Sequence, residues 1–248
     1  MPMMPDAIVL CGGAGTRLRS VTGTAPKAMA IVAGRPFMEF LLLQLRRYGY
    51  TRVILSVGYQ QQVIRDHFAE KAFDLNLSYS SESSPLGTGG ALRQAIDLVK
   101  TDIALVMNGD SYTDLDLCRF AFAHQKHAAD LTVAVVAEDR TDAGSVLLGD
   151  HGRITAFAEK RPVVSSRYRS AGIYMISRSL AASIPQAVQI SLEEQLLPLW
   201  IQEGRHIRAF VHPGTCIDIG TPERYQGAQD FLANFEAAAM APRSEGQP

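Results

Sequence analysis

Cysteine is scarce and poorly spaced for cross-linking. Cys11, Cys118 and Cys216 are the only three in 248 residues, and no Cys-x-x-Cys pair occurs. An odd count at wide spacing disfavours both a disulfide framework and a zinc cluster, and it points to a reducing cytoplasm. An excess of one charge is also missing. The 24 Lys and Arg residues against 25 Asp and Glu leave a net charge of -1. Binding to nucleic acid through bulk electrostatics is therefore excluded, and only a local basic pocket is left open. No apolar run approaches the roughly 18 residues that cross a bilayer. The segment from Met1 to Asp6 lacks the basic stretch of a signal peptide. The expectation is a cytoplasmic protein with neither a membrane nor a nucleic-acid partner. The six histidines are scattered. Their nearest pair, His124 and His127, falls at i, i+3 on a helix read as exposed, with no third metal ligand beside it. There is no linker, internal repeat or hexapeptide repeat, and nothing in the sequence decides for or against a homo-oligomer.

What is present is an ordinary globular composition: 47% hydrophobic, 20% charged, mean hydropathy +0.02. Ala7 to Cys11 is an unbroken apolar run ending in Gly12-Gly13, the pattern of a strand buried on both faces. Similar strands are predicted at Arg52 to Gly58, Leu75 to Ser80, Ile103 to Asn108 and Leu131 to Val136. Helical periodicity fills the gaps: Pro36 to Tyr48 with Pro36 at N1, Gln61 to Phe68, Gly89 to Val99, and Leu117 to His127. Such alternation predicts a doubly wound sheet. The second half differs. Short strands at Val146 to Leu148, Ile154 to Phe157 and Ala171 to Ile176 are separated by turns, with His151-Gly152 joining the first two. Ser191 to Glu194 reads as a capping box opening a helix to about Glu203. A strand at Ile207 to Val211 and a helix from Pro222 to about Ala238 follow. The polar tail from Pro242 is read as disordered. Residues 1–241 thus read as a single α/β domain, with a nucleotide half to about residue 140 and a smaller β-rich half beyond it.

Gly12-Gly13-Ala14-Gly15-Thr16-Arg17-Leu18 follows the first strand directly. Glycines there let backbone N–H groups approach an anion, typically phosphate, although a plain tight turn gives the same pattern. The run is neither a Walker A loop nor a full G-x-G-x-x-G, because Leu18 stands at the third glycine position. Arg17 and Lys27 sharpen the reading, since two cations beside such a loop suit a triphosphate.

Gly-Gly-x-Gly-Thr-Arg-Leu followed seven residues later by Pro26-Lys27 resembles the signature of the sugar-1-phosphate nucleotidylyltransferases. The resemblance runs from Ala7 to about Tyr225. Ser56 to Tyr59, Pro85 to Leu92 and Asn108 to Ser111 bring it nearest to the branch that guanylylates D-glycero-α-D-manno-heptose 1-phosphate. Mannose 1-phosphate guanylyltransferases, N-acetylmuramate 1-phosphate uridylyltransferases and an inactive sensor of nucleotide sugars are the alternatives. Ser20 and Ala28 depart from the proline that relatives carry at those positions, which affects loop rigidity only.

The resemblance implies a Rossmann-like mixed sheet and Mg²⁺-dependent transfer between GTP, or another nucleoside triphosphate, and a sugar 1-phosphate. It implies that Leu10, Gly12, Gly13, Gly15, Thr16, Arg17 and Lys27 hold the triphosphate. Gly87, Thr88 and Gly89 would face the base, and Asn108 and Gly109 would lie beside the nucleotide. Asp110 and Asp218 would bind the metal. Glu159 would hold sugar hydroxyls, Lys160 the sugar phosphate, and Asn108, Gly144 and Gly172 would line the sugar pocket. Arg17, Lys27, Asp110, Lys160 and Asp218 would carry the catalysis. Asp114 and Asp116 read as turn and N-cap residues. Arg167 and Arg169 read as solvated.

Overall fold

A ten-stranded mixed sheet carries the chain. The computed structural model describes residues 4–13, 15–19, 23–138, 144–159 and 166–239, with side chains to residue 233. In chain order the strands are β1 (Asp6–Leu10), β2 (Ile31–Val32), β3 (Arg35–Pro36), β4 (Arg52–Val57), β5 (Lys71–Ala72), β6 (Leu75–Ser81) and β7 (Ile103–Asn108). They continue as β8 (Ser111–Thr113), β9 (Leu131–Ala137), β10 (Ser145–Leu148), β11 (Ile154–Ala158), β12 (Tyr168–Ser177), β13 (Ile207–His212) and β14 (Cys216–Asp218). The helices are α1 (Phe37–Arg47), α2 (Gln61–Phe68), α3 (Gly87–Ile96), α4 (Leu117–Lys126), α5 (Arg178–Ala182), α6 (Leu197–Gln202) and α7 (Pro222–Ala239).

Strands β6, β4, β1 and β7 lie side by side and parallel. The chain steps outward from β1 to β4 to β6, then returns to β7 on the other side of β1. Ligands of open α/β sheets gather at the carboxyl ends where this order reverses, here between Leu10 and Asn108. Antiparallel β12 flanks β7, and β9 and β13 follow it. The hairpin β10–β11 attaches to the first half of β12. The second half of the chain therefore completes the main sheet as well as building its own hairpin.

Alternation along the strands creates two cores. Ala7, Val9, Leu105 and Met107 face one side with Phe37, Leu41, Phe120 and Leu232. Ile8, Ala104 and Val106 face the other with Leu92, Ile96, Leu180, Leu196 and Trp200. Both sheet faces are covered, so the near-continuous apolar strands follow from the layering. Burying one such large side chain contributes about 1.5–3 kcal/mol. The predicted strands and helices appear within a few residues of their expected ends. Pro36 is the N-cap of α1 and the last residue of β3, not N1. Ser191 caps its helix by accepting from Glu194 N at 3.0 Å, but Gln195 rather than Glu194 returns a side-chain oxygen to Ser191 N. The first turn, Leu192–Leu196, is π-helical. Asp116 caps α4 as expected, accepting from Cys118 N and Arg119 N. The tail from Pro242 lies outside the described residues.

The sequence reading of His124 needs correction. It is 2% exposed, and its Nδ1 sits 2.8 Å from Thr132 Oγ1. Burial lowers the imidazole to about 4, with Asp130 partly opposing. The folded state binds this proton less readily than the unfolded chain. Its contribution is therefore complete above about pH 6.5 and is lost as pH falls toward 4. Between pH 6.5 and 5 the loss should be about 1.5 kcal/mol. Urea unfolding at both pH values checks this. The His124→Gln variant should show a smaller pH dependence than wild type, and equal slopes would contradict the assignment.

Candidate active site

The carboxyl ends of β1, β4 and β7 stay joined one residue beyond the strands. Cys11 N donates to Ser56 O at 2.9 Å, and Gly109 N donates to Leu10 O at 2.8 Å. The glycine loop begins there, with the Gly12 carbonyl accepting from Tyr59 N. Gly15 has φ +57°, and a Cβ on it would lie 2.8 Å from Lys27 Cβ. Glycine is required for the loop to lie across Lys27. Thr16–Leu18 then form a 3-10 turn, with Leu18 fully buried. That explains the departure from G-x-G-x-x-G: Leu18 anchors the loop in the core.

A cavity of about 740 Å³ opens at this edge. It is lined by Leu10, Gly12, Gly13, Gly15, Thr16, Arg17, Lys27, Gly87, Thr88, Asn108, Gly109 and Asp110, all expected on the nucleotide side or at the metal. A second cavity, of about 390 Å³, is lined by Gly144, Glu159, Gly172 and Asp218, the residues expected on the sugar side or at the metal. Arg17, Lys27, Gly87, Thr88, Asn108, Asp110 and Gly220 line both. The two spaces therefore share a wall at the Lys27–Asp110 pair.

That wall is dense in charge. Lys27 Nζ lies 2.5 Å from Asp110 Oδ2. Burial pushes the Asp110 carboxyl up. The Lys27 charge, with hydrogen bonds from Lys27 and Ser111, outweighs burial and holds it below its ordinary value. Asp218 reaches this wall through a ladder absent from the sequence reading. β14 pairs with β8 so that Asp218 faces Ser111, and Ile219 N donates to Asp110 O at 3.0 Å. Arg224 Nη1 donates to both Asp218 oxygens at 2.9 and 3.1 Å. Two carboxylates distant in sequence thus line the same cavity as hard oxygen donors, each held by a cation.

On the sugar side, the register of β12 shifts between Ser170 and Tyr174. Gly172 stands in that bulge at φ +70°, where a Cβ would lie 2.8 Å from Asn108 Nδ2. The bulge is thereby pressed onto the end of β7. A Cβ on Gly144 would fall 2.9 Å from Glu159 Oε2, which puts those two residues side by side.

Several expectations change. Gly89 does not line either cavity. Gly89 N and Gly90 N both donate to Ile190 O, at 2.9 and 3.2 Å, so these small residues pack α3 against the chain before the π-helical turn. Leu86 is the N-cap of α3. Arg169 is not solvated. It is 3% exposed, pairs with Glu138 and donates Nη2 to Cys216 O at 2.9 Å, tying β12 to β14. Arg167 is exposed, as read. Lys160 and Ser20 lie outside the described residues. Ala28 is buried against the first cavity.

Glu82 and Glu193 were not foreseen. Glu82 lines the first cavity and takes the Leu86 N–H on Oε2 at 2.9 Å. Burial raises its carboxyl above the ordinary value, and that hydrogen bond opposes the shift. Its place just after β6, at the sheet's carboxyl edge, was the available signal. Glu193 lines the second cavity, and its spacing from Ser191 had been absorbed into the capping box.

The Nucleotidyl transferase family profile matches residues 6–234. The chain belongs to this family. It is 33% identical over 232 residues to the D-glycero-alpha-D-manno-heptose 1-phosphate guanylyltransferase of Campylobacter jejuni, covering 92% of this chain and 99% of that one. It is 35% identical over 231 residues to the mannose-1-phosphate guanylyltransferase of Mycobacterium tuberculosis, covering 92% of this chain but only 64% of that protein's length. The crystal structure of HddC from Yersinia pseudotuberculosis complexed with GMP-PN superposes with a TM-score of 0.81 at 31% identity, covering 92% of this chain and 100% of that one. The inositol-1-phosphate CTP transferase of T. maritima shares the fold, with a TM-score of 0.73 at 20% identity. The family match supports the mixed α/β sheet that the resemblance implies; the wholly parallel sheet suggested by the alternating elements is corrected by antiparallel β12. No helix among the described residues is long and apolar enough to cross a membrane.

Proposed function

We propose that this nucleotidyl transferase makes GDP-D-glycero-α-D-manno-heptose and pyrophosphate from GTP and D-glycero-α-D-manno-heptose 1-phosphate. The observation that carries the reading is the pair of cavities meeting at Lys27 and Asp110. One has a glycine loop with cations, which suits a triphosphate. The other has Glu159 and Glu194, which suit a ligand rich in hydroxyls. The reaction needs its two phosphates to meet at such a wall. An oxygen of the sugar phosphate bonds to the α-phosphorus of GTP, and the bond from that phosphorus to pyrophosphate breaks. The nucleophile is already an anion, so no general base is needed. Catalysis is positioning and charge neutralisation. Arg17 and Lys27 neutralise the triphosphate, and Lys160 and Glu159 hold the sugar phosphate and its hydroxyls. Asp110 and Asp218 fit Mg²⁺ as hard carboxylate donors, with phosphate oxygens and water completing the shell. When bound, the ion neutralises charge building on the phosphate oxygens. Residues 1–241 act as one domain whose halves, divided near residue 140, supply the nucleotide and sugar sides. Three free thiols suit a reducing cytoplasm.

Guanine is favoured by Glu82. Guanine presents two adjacent donors, N1–H and N2–H, which a carboxylate accepts together. Uracil and thymine present one donor between two carbonyls, which a carboxylate repels. Glu159 and Glu194 of the second cavity also disfavour N-acetylmuramate 1-phosphate, whose own carboxylate they would repel. The assay is pyrophosphate release with Mg²⁺ and each pairing of GTP or UTP with the heptose, mannose and N-acetylmuramate 1-phosphates. The heptose–GTP pair should lead in kcat/KM by at least roughly tenfold, a difference of ~1.4 kcal/mol. A lead for mannose 1-phosphate would move the enzyme to the mannose branch. A lead for N-acetylmuramate with UTP would overturn the guanine assignment.

A further inference from the structure

Glu193 is 8% exposed, lines the second cavity, and takes no part in the chemistry above. Its two oxygens are reached from opposite sides. Thr88 Oγ1 donates to Oε2 at 2.5 Å, and the Tyr174 hydroxyl donates to Oε1 at 3.1 Å. Thr88 Oγ1 also accepts from Leu192 N at 2.9 Å, and its only proton points to Glu193. On the other side, Gly172 N donates to Ser170 Oγ at 3.2 Å, and Ser170 Oγ donates to the Tyr174 oxygen at 3.3 Å. Every hydrogen bond in this chain runs toward the carboxylate. Burial and the Glu193 charge raise the Tyr174 phenol well above its ordinary value, so it remains a donor.

The two ends of the chain matter. Thr88 lines both cavities at the start of α3. Gly172 sits in the bulge pressed on Asn108, which also lines both. We propose that Glu193 is a positioning residue that locks the sugar-side wall, Ser170 to Gly172, to the nucleotide-side residue Thr88. The proposal rests on the two-substrate reading of these cavities. A carboxylate is required because Thr88 and Tyr174 donate to different oxygens, with the Ser191 hydroxyl also donating to Oε2 at 3.4 Å. Glutamine has one acceptor oxygen, and its amide nitrogen would face an oxygen whose proton then has no partner, which frees one arm of the chain.

The test uses the full-length protein. Glu193→Gln should raise the KM for sugar 1-phosphate about tenfold, the worth of one buried hydrogen bond to a charged group, while nucleotide affinity measured without sugar changes less than about twofold. Thr88→Val should raise the same sugar KM, although Thr88 stands on the nucleotide side, and Thr88→Ser should restore it. An unchanged sugar KM in Glu193→Gln, with only the melting temperature lowered, would overturn the proposal. So would a Thr88→Val effect confined to the nucleotide, and this variant decides the matter if Glu193→Gln does not fold. If the wild type forms no nucleotide sugar from any pairing, the two-substrate reading fails instead. Calorimetric binding of mannose 1-phosphate to wild type and Thr88→Val then tests the lock by itself: weaker binding in the variant supports it, and equal binding overturns it.

Discussion

Replacing Lys27 by alanine should lower kcat by roughly a hundred- to a thousandfold, the range seen when one aligned donor to a developing anion is removed. The KM for GTP should change less than about tenfold, because the charge matters most as the α-phosphorus becomes five-coordinate. The geometry explains why this side chain is so exposed to loss. Gly15 lies directly over Lys27, and Lys27 Nζ closes onto Asp110 at 2.5 Å on the wall between the cavities. The ammonium therefore sits where the two phosphates must meet. Its loss also strands Asp110: with the Lys27 charge gone, only the Ser111 and backbone hydrogen bonds oppose burial, and the carboxyl rises. In the wild type the lowered Asp110 contributes stability that is complete above the ordinary carboxylate range and is lost as pH falls through the lowered value. The Lys27→Ala protein should lose that contribution at neutral pH. Steady-state kinetics with pyrophosphate detection separates the cases. If only the KM for GTP rises, Lys27 binds substrate and transition state equally, and its catalytic role is wrong.

Much of this arrangement was legible in the sequence because it depends on local chemistry. The apolar run at Ala7 to Leu10 ending in glycines announces a buried parallel strand and a loop at its carboxyl end. Helix periodicity placed α1, α2 and α4 to within a residue or two. What escaped notice depends on contacts between distant segments. The β8–β14 ladder is three residues long on each side, too short for any periodic signal, yet it brings Asp218 to Asp110. Arg169 looks like a surface cation in sequence, and only the approach of Glu138 and of the Cys216 carbonyl makes it a buried brace. Gly89 reads in sequence as facing the base, with Gly90 beside it. Their N–H groups go to the Ile190 carbonyl, a contact that joins residues about a hundred positions apart. His124 shows the same blindness, since its burial depends on β9 covering one face of α4.

Changing Glu82 to glutamine should cut kcat/KM for GTP by roughly a hundredfold, the cost of exchanging a charged bidentate acceptor for an amide facing a donor. The same change should raise activity with UTP. The amide oxygen accepts the single uracil N3–H, and the amide N–H meets a flanking carbonyl. Position supports the choice of residue. Glu82 follows β6 and lies in the first cavity with Pro85, Gly87 and Ala91, against Gly12 of the glycine loop. The Leu86 N–H reaches Oε2 at 2.9 Å and Oε1 packs beside Gly12, which fixes the group's orientation, and each oxygen keeps a lone pair for the ligand. A partly desolvated carboxylate with no cation partner among the described residues is costly, and its raised pKa accords with that cost. A base carrying two donors relieves the cost, whereas a base carrying one donor between carbonyls aggravates it. The preference for guanine thus comes from what the unpaired carboxylate rejects as much as from what it accepts. The measurement is kcat/KM for GTP and UTP with one sugar 1-phosphate, in wild type and Glu82→Gln. If both nucleotides fall together and their ratio stays constant, Glu82 supports the loop and does not read the base.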